Sequence, residues 1–134
     1  MFFTSAARVL VLPVATAAML ALAPLTARAD GASEIVTAAS HAELAAGAAD
    51  IAGTHTHLHH ALNCLVGPKG SGFDAKELNP CANSGSGAIP DTADAAKKKA
   101  LENAADKVRA GIASTDLAAA QKDAKEAASL LQAK

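Results

Sequence analysis

The sequence has few aromatic residues, and this narrows the classes of ligand that it can bind. Of its 134 residues none is tryptophan or tyrosine, and Phe73 is the only phenylalanine after residue 29. Because stacking of nucleic-acid bases requires aromatic side chains, the composition argues against a base-stacking platform, and equally against an aromatic sugar-binding cleft. The formal net charge is −1 and the chain has no long basic block, which also argues against nucleic acid as a partner.

Several catalytic and cofactor motifs are missing as well. The chain contains no HExxH, the pattern of zinc proteases, and no CxxCH, the pattern of covalent haem attachment. No set of serine, histidine and acidic residues has the spacing of a nucleophilic triad. We therefore expect a binding or structural protein and not an enzyme.

Residues 1–29 have the features of a secretory signal peptide. Arg8 supplies positive charge near the start, an apolar run follows, and Ala27 and Ala29 are small residues of the kind read by signal peptidase. We expect cleavage after Ala29, a periplasmic or secreted protein, and no permanent membrane helix. Removal of this segment, which has two arginines and no acid, changes the formal net charge from −1 to −3 for a single domain, residues 30–134.

The remaining residues predict an all-α domain of four helices. Apolar residues recur at intervals of four and three, which is the period of an amphipathic helix. Asp50 and Asp116 are suitable N-caps, and Gly67 followed by proline is a helix stop. The pattern predicts a four-helix bundle of two helical hairpins, 33–66 and 91–132, joined by a long loop, 67–90. A continuous helix from Ser33 to Leu65 is the alternative to the first hairpin.

The two hairpins resemble each other when the sequence is shifted by 66 residues. Asp50 then falls on Asp116, and Leu65 on Leu131. The four histidines of the second predicted helix fall on residues of another kind, Gln121, Asp123, Lys125 and Glu126. Because the same scaffold forms without histidine, we expect these imidazoles to serve binding.

The stretch THTHLHHALNC holds four of the five histidines. His55 lies on the apolar stripe, and a turn near Asp50 would place His41 opposite His59. We therefore expect His41, His55 and His59 to converge on a metal ion, with His57 and His60 as auxiliary ligands or solvated. Neutral imidazole suits copper, zinc and nickel, and we expect copper or zinc before nickel.

Two other interpretations of the histidines remain open. They could belong to a structural cluster or contact an unidentified periplasmic protein, or His55 and His59 could hold a haem or another small ligand. If His55 is buried without a partner, it costs stability, and replacing it with leucine would stabilise the metal-free protein.

The two cysteines also admit two interpretations. Cys64 and Cys81 both follow the signal segment, and an even number of cysteines in an exported chain predicts a disulfide. Such a bond would tie the long loop to the second helix. Alternatively, a reduced Cys64 could join His57 and His60 as a soft metal ligand.

In three segments the chain resembles the small histidine-rich metal-binding proteins of the bacterial periplasm, and these segments are SHAELAAGAAD, THTHLHHALNCL and LENAADKVRAGIASTDLAAAQKDAKEAASLL. The resemblance implies a four-helix bundle that sequesters divalent metals, copper among them. Those proteins carry histidines in every helix, whereas this chain confines them to the first hairpin. The resemblance therefore implies few metal ions per chain and does not extend to bulk storage.

Overall fold

The computed structural model describes residues 31–133, and this part of the chain contains five helices and no strand. The helices are α1 Ala32–Ala46, α2 Ile51–Val66, α3 Ala88–Asp91, α4 Ala95–Ala113 and α5 Leu117–Gln132. The all-α prediction is confirmed. None of these helices is both long enough and apolar enough to cross a membrane. The predicted signal peptide lies outside the described residues.

An aspartate side chain begins each of the helices that follow a short turn. Asp50 Oδ1 accepts a hydrogen bond of 2.8 Å from the Gly53 N–H, and Asp116 Oδ1 accepts one of 2.7 Å from the Ala119 N–H. Each bond satisfies a backbone donor that has no partner within the helix, which stabilises a helix by about 1 kcal/mol. Since α1 ends at Ala46, before the first cap, the chain forms a hairpin here and not one continuous helix.

Alanine supplies much of the core and lets the helices approach closely. α1 packs against α2 and α5, and α4 packs against α5 and α2. Ala38, Ala42 and Ala45 of α1 are completely buried, as are Leu58 and Leu65 of α2. Because an alanine side chain removes little apolar area from water, such a core depends on close contact along the whole length of each helix.

Gly111 of α4 lies at a point where α4 closely approaches α2 and α5. A Cβ atom there would be 2.8 Å from Leu58 Cδ1 and 3.2 Å from the carbonyl oxygen of Ala120. A larger residue would therefore push α2 and α5 away from α4. The matching positions of the first hairpin are Ala45 and Thr54, and there Thr54 Oγ1 donates a hydrogen bond of 3.3 Å to the Ala45 carbonyl oxygen. The two hairpins thus cross at equivalent positions.

The second hairpin begins later than the sequence predicts. The short helix α3 occupies the end of the predicted loop, and α4 begins at Ala95 instead of near residue 91. Asp94 is its N-cap and accepts a hydrogen bond of 2.7 Å from the Lys97 N–H. Thr92 has extended backbone angles, which separate α3 from α4.

The loop between α2 and α3 is attached to α2 at two consecutive residues. Asn63 is completely buried, accepts a hydrogen bond of 2.9 Å from the Asp74 N–H, and donates to the carbonyl oxygens of Asp74 and Leu78 at 3.0 and 3.2 Å. Cys64 forms a disulfide with Cys81, so the predicted disulfide is confirmed. With neither cysteine free, Cys64 is not a thiolate metal ligand.

This attachment predicts how the protein responds to reduction. The unreduced protein should have no titratable thiol, and reduction should lower its melting temperature while most of its helicity remains. A disulfide that joins residues 17 apart contributes about 3 kcal/mol. Thiol titration and melting followed by circular dichroism measure both effects. Two thiols in the folded, unreduced protein, or an unchanged melting temperature after reduction, would contradict this prediction.

Candidate metal site

Three of the five histidines meet between α1 and α2. His41 lies on α1, and His57 and His60, three residues apart, share one side of α2. His41 Nδ1 and His57 Nδ1 are 3.3 Å apart. The ring of His60 is edge-on to both other rings, with centroid distances of 5.0 Å to His41 and 5.8 Å to His57. We call these three residues the histidine triad.

The histidine triad fits a transition-metal ion in both geometry and chemistry. One nitrogen of each residue lies within 4.8 Å of a nitrogen of the other two. Two nitrogens of a tetrahedral site with metal bonds of about 2.0–2.1 Å are about 3.3 Å apart, which matches the 3.3 Å between His41 and His57. His60 Nδ1 is buried and has no hydrogen-bond partner within residues 31–133. Such an atom is costly, and a bound cation would give it a partner.

The trio predicted from the sequence, His41, His55 and His59, does not form. His55 Nε2 lies 2.8 Å from the carbonyl oxygen of Ser114, in the second hairpin. His59 Nδ1 faces the loop, 3.7 Å from Asp74 Oδ2. Since His55 and His59 contact different elements, their geometry does not support the alternative in which both hold a haem or another small ligand.

The difference between the predicted and the observed grouping has a geometric cause. Convergence of His55 with His41 requires the apolar stripe of α2 to face α1, but Leu58 of that stripe packs beside Gly111 of α4. The stripe therefore faces the second hairpin. The side of α2 that faces α1 carries His57 and His60, which the sequence assigns only an auxiliary role.

Burial and mutual repulsion favour the neutral form of two imidazoles of the triad. Burial is the main cause that lowers the pKa of His41, followed by the charges of His60 and His57. Burial also lowers the pKa of His60, with His57 and His59 adding to the effect and Glu77 opposing it. Because only a neutral imidazole binds a metal ion, these shifts reduce competition from protons near neutral pH.

Two acidic residues of the loop lie beside the histidines of α2. Glu77 Oε2 is 3.8 Å from His60 Nε2, and Asp74 Oδ2 is 3.7 Å from His59 Nδ1. No motif in the sequence singles out either acid as part of a site. The two acids are three residues apart in a segment that the disulfide ties to α2. This spacing only weakly indicates contact with the histidines, because a local sequence pattern does not determine how an irregular loop folds back.

The second hairpin has a charged cluster at the position of the histidine triad. The shift of 66 residues maps the triad onto Lys107, Asp123 and Glu126. Lys107 Nζ contacts Glu126 Oε2 and lies 3.8 Å from Asp123 Oδ1. The hydrogen bond between Lys107 and Glu126 raises the pKa of the lysine and lowers the pKa of the glutamate. Equivalent positions thus hold a lysine paired with two acidic residues in one hairpin and three imidazoles in the other.

His55 also has a counterpart in the second hairpin. The shift maps His55 onto Gln121 and Ala48 onto Ser114. Gln121 Nε2 donates a hydrogen bond of 2.8 Å to the Ala48 carbonyl oxygen, and His55 Nε2 is 2.8 Å from the Ser114 carbonyl oxygen. Each hairpin therefore contacts the turn of the other through the same side-chain position. His55 has a partner, which corrects the expectation that it is buried without one.

Comparisons with known proteins do not extend this description. No protein-family model matches the chain, and no curated protein and no solved structure is significantly similar to it. The function must therefore be inferred from the site itself.

The equivalence of His55 and Gln121 predicts the effect of two substitutions. His55→Leu should destabilise the metal-free protein by about 1–3 kcal/mol, because the Ser114 carbonyl oxygen loses its donor. His55→Gln should stay close to the wild type, since Gln121 makes the equivalent bond. Urea unfolding of the three proteins gives the order of stability. If the leucine variant were the most stable of the three, the structural role of His55 would be refuted.

The lowered pKa values of His41 and His60 predict how the stability of the metal-free protein depends on pH. In the unfolded state these histidines have the ordinary pKa of 6.5. Below that pH the unfolded state therefore binds more protons than the folded state does. The free energy of unfolding should therefore be highest above pH 6.5 and fall as the pH decreases through the lower pKa values of the folded protein.

The control for this experiment is the charge-swap variant, His41→Lys with His57→Asp and His60→Glu, which carries the residues of the second hairpin. Urea unfolding between about pH 7.5 and 5 should show a smaller decline for this variant, since it lacks the triad imidazoles. Equal declines in the two proteins would show that other groups cause the effect.

Proposed function

We propose that this chain is an exported protein that binds one divalent transition-metal ion through the histidine triad and buffers, sequesters or delivers it in the periplasm. The observation that carries the proposal is the meeting of three imidazoles from two helices, one of which has a buried nitrogen without a hydrogen-bond partner. The Cys64–Cys81 disulfide is compatible with an oxidising compartment.

The ligand chemistry favours copper(II) or zinc, with nickel(II) as a further candidate. The triad offers three nitrogen donors, and the two cysteines are occupied by the disulfide. Imidazole suits all three metals, and copper(II) generally binds most tightly among divalent ions of this series. Three protein ligands leave a coordination position for water or for a group of a partner protein. A single, open site suits buffering or delivery better than bulk storage.

The scaffold that we propose for this role is a four-helix bundle of α1, α2, α4 and α5. Bundles commonly hold metals with side chains from facing helices, and here the facing helices are α1 and α2. The Lys107 cluster supports a role for the histidines in binding, because it occupies the same position on the same scaffold without imidazole. The proposed protein is a metal carrier or buffer and not an enzyme.

The proposal is tested by metal titration of residues 30–134. Calorimetry with zinc, and with copper(II) in the presence of a competing chelator, should give one ion per chain for the wild type. The charge-swap variant should not bind stoichiometrically, because it has no imidazole donor and its ammonium group occupies the carboxylates, as Lys107 does in the second hairpin. Metal should also stabilise the wild type by about 2.7 kcal/mol at one hundred times the dissociation constant.

A second variant, His55→Gln with His59→Lys, is the matched control, since it also introduces residues of the second hairpin but leaves the triad intact. This variant should bind like the wild type. Equal binding by the charge-swap variant and the wild type, or loss of binding only in the His55 and His59 variant, would refute the proposed site.

A further inference from the structure

The loop between α2 and α3 is held beside the histidine triad by contacts that do not involve the triad. The buried Asn63 bonds to the backbone of Asp74 and Leu78, and the Cys64–Cys81 disulfide fixes the loop three residues further along the chain. Between these points the backbone is held in place on α2. The loop therefore presents its side chains to α2 at fixed positions.

One of these side chains, Glu77, faces a residue of the triad. Its Oε2 lies 3.8 Å from His60 Nε2, and its side chain is 35% exposed, which leaves it room to move. A shift of about 1 Å would bring the two atoms to the hydrogen-bond distance of about 2.8 Å. The other nitrogen of the same ring, Nδ1, is buried and has no hydrogen-bond partner in the described part of the chain.

We propose that Glu77 is a positioning residue of the metal site, an inference that rests on the proposed function. The carboxylate accepts the Nε2–H of His60, which leaves Nδ1 without a proton and available to the metal. It also fixes the orientation of the ring and makes the ligating nitrogen more basic. Carboxylates that support metal-bound histidines in this way commonly change metal affinity by about 10–100-fold.

Asp74 provides a matched control in the same loop. Its Oδ2 is 3.7 Å from His59 Nδ1, and its side chain has the same 35% exposure as Glu77. His59 lies outside the triad, so removal of this carboxylate changes the net charge by the same amount without affecting a ligand. Asp74→Asn keeps the side-chain oxygen that accepts a hydrogen bond from the Lys76 N–H.

The experiment compares zinc affinity of the wild type, Glu77→Gln and Asp74→Asn by calorimetry at pH 7.5, with the disulfide intact. Glu77→Gln should weaken binding by about 10–100-fold, and Asp74→Asn should bind like the wild type. Melting temperatures of the metal-free proteins should agree, because the loop is held by Asn63 and the disulfide. The visible spectrum of bound cobalt(II) should change only in the Glu77 variant, since a purely structural effect would not alter the coordination of the metal.

Two results would overturn the role of Glu77. Unchanged zinc affinity and an unchanged cobalt(II) spectrum in Glu77→Gln would show that the carboxylate does not act on His60. Equal weakening by Glu77→Gln and Asp74→Asn would assign the effect to the total charge of the loop. Failure of the wild type itself to bind zinc or cobalt(II) would instead refute the proposed function, so the two failures are distinguishable.

Discussion

The close packing of α1 against α2 determines where every candidate ligand lies. Completely buried alanines on α1, such as Ala42 and Ala45, allow the two helix backbones to approach. The hydrogen bond from Thr54 to the Ala45 carbonyl oxygen fixes the position of one helix along the axis of the other. With the helices in this register, His41 lies opposite His57. A bulkier core would separate the helices, and three short imidazole side chains could no longer meet between them.

The same packing in the second hairpin brings together side chains of different chemistry. Lys107 bonds to Glu126 there, and the charges compensate each other without any external ligand. The imidazoles of the first hairpin cannot do this, because protonation of one disfavours protonation of the others. The internal repeat therefore distinguishes residues required for the fold, which both hairpins share, from the histidines, which occur in the first hairpin alone. It also supplies the residues for variants that should preserve the fold.

The sequence predicts the helices well because their signals are local. Asp50 and Asp116 cap helices within three residues of themselves, and Gly67 ends α2 in a backbone conformation that glycine adopts easily. The disulfide is predictable for a different reason, since a chain with two cysteines allows only the pair Cys64–Cys81. Both kinds of inference require no knowledge of how distant segments pack.

The composition of the site is less predictable because it depends on which side of α2 faces α1. All five histidines are visible as candidates in the sequence, yet the apolar stripe suggests His55 and the packing selects His57 and His60. The position of Glu77 is even harder to predict from the sequence, because it depends on how Asn63 and the disulfide hold an irregular loop against α2. Helical periodicity locates the elements, whereas tertiary packing decides which imidazoles become neighbours.

The central claim is that the histidine triad, and not another set of histidines, binds the metal. Anomalous diffraction at the zinc edge from crystals of the zinc-loaded protein tests it most directly. We predict one strong peak between α1 and α2, bonded to nitrogens of His41, His57 and His60. A peak bonded to His55 or His59 without the triad, or peaks only at surface carboxylates, would contradict the account.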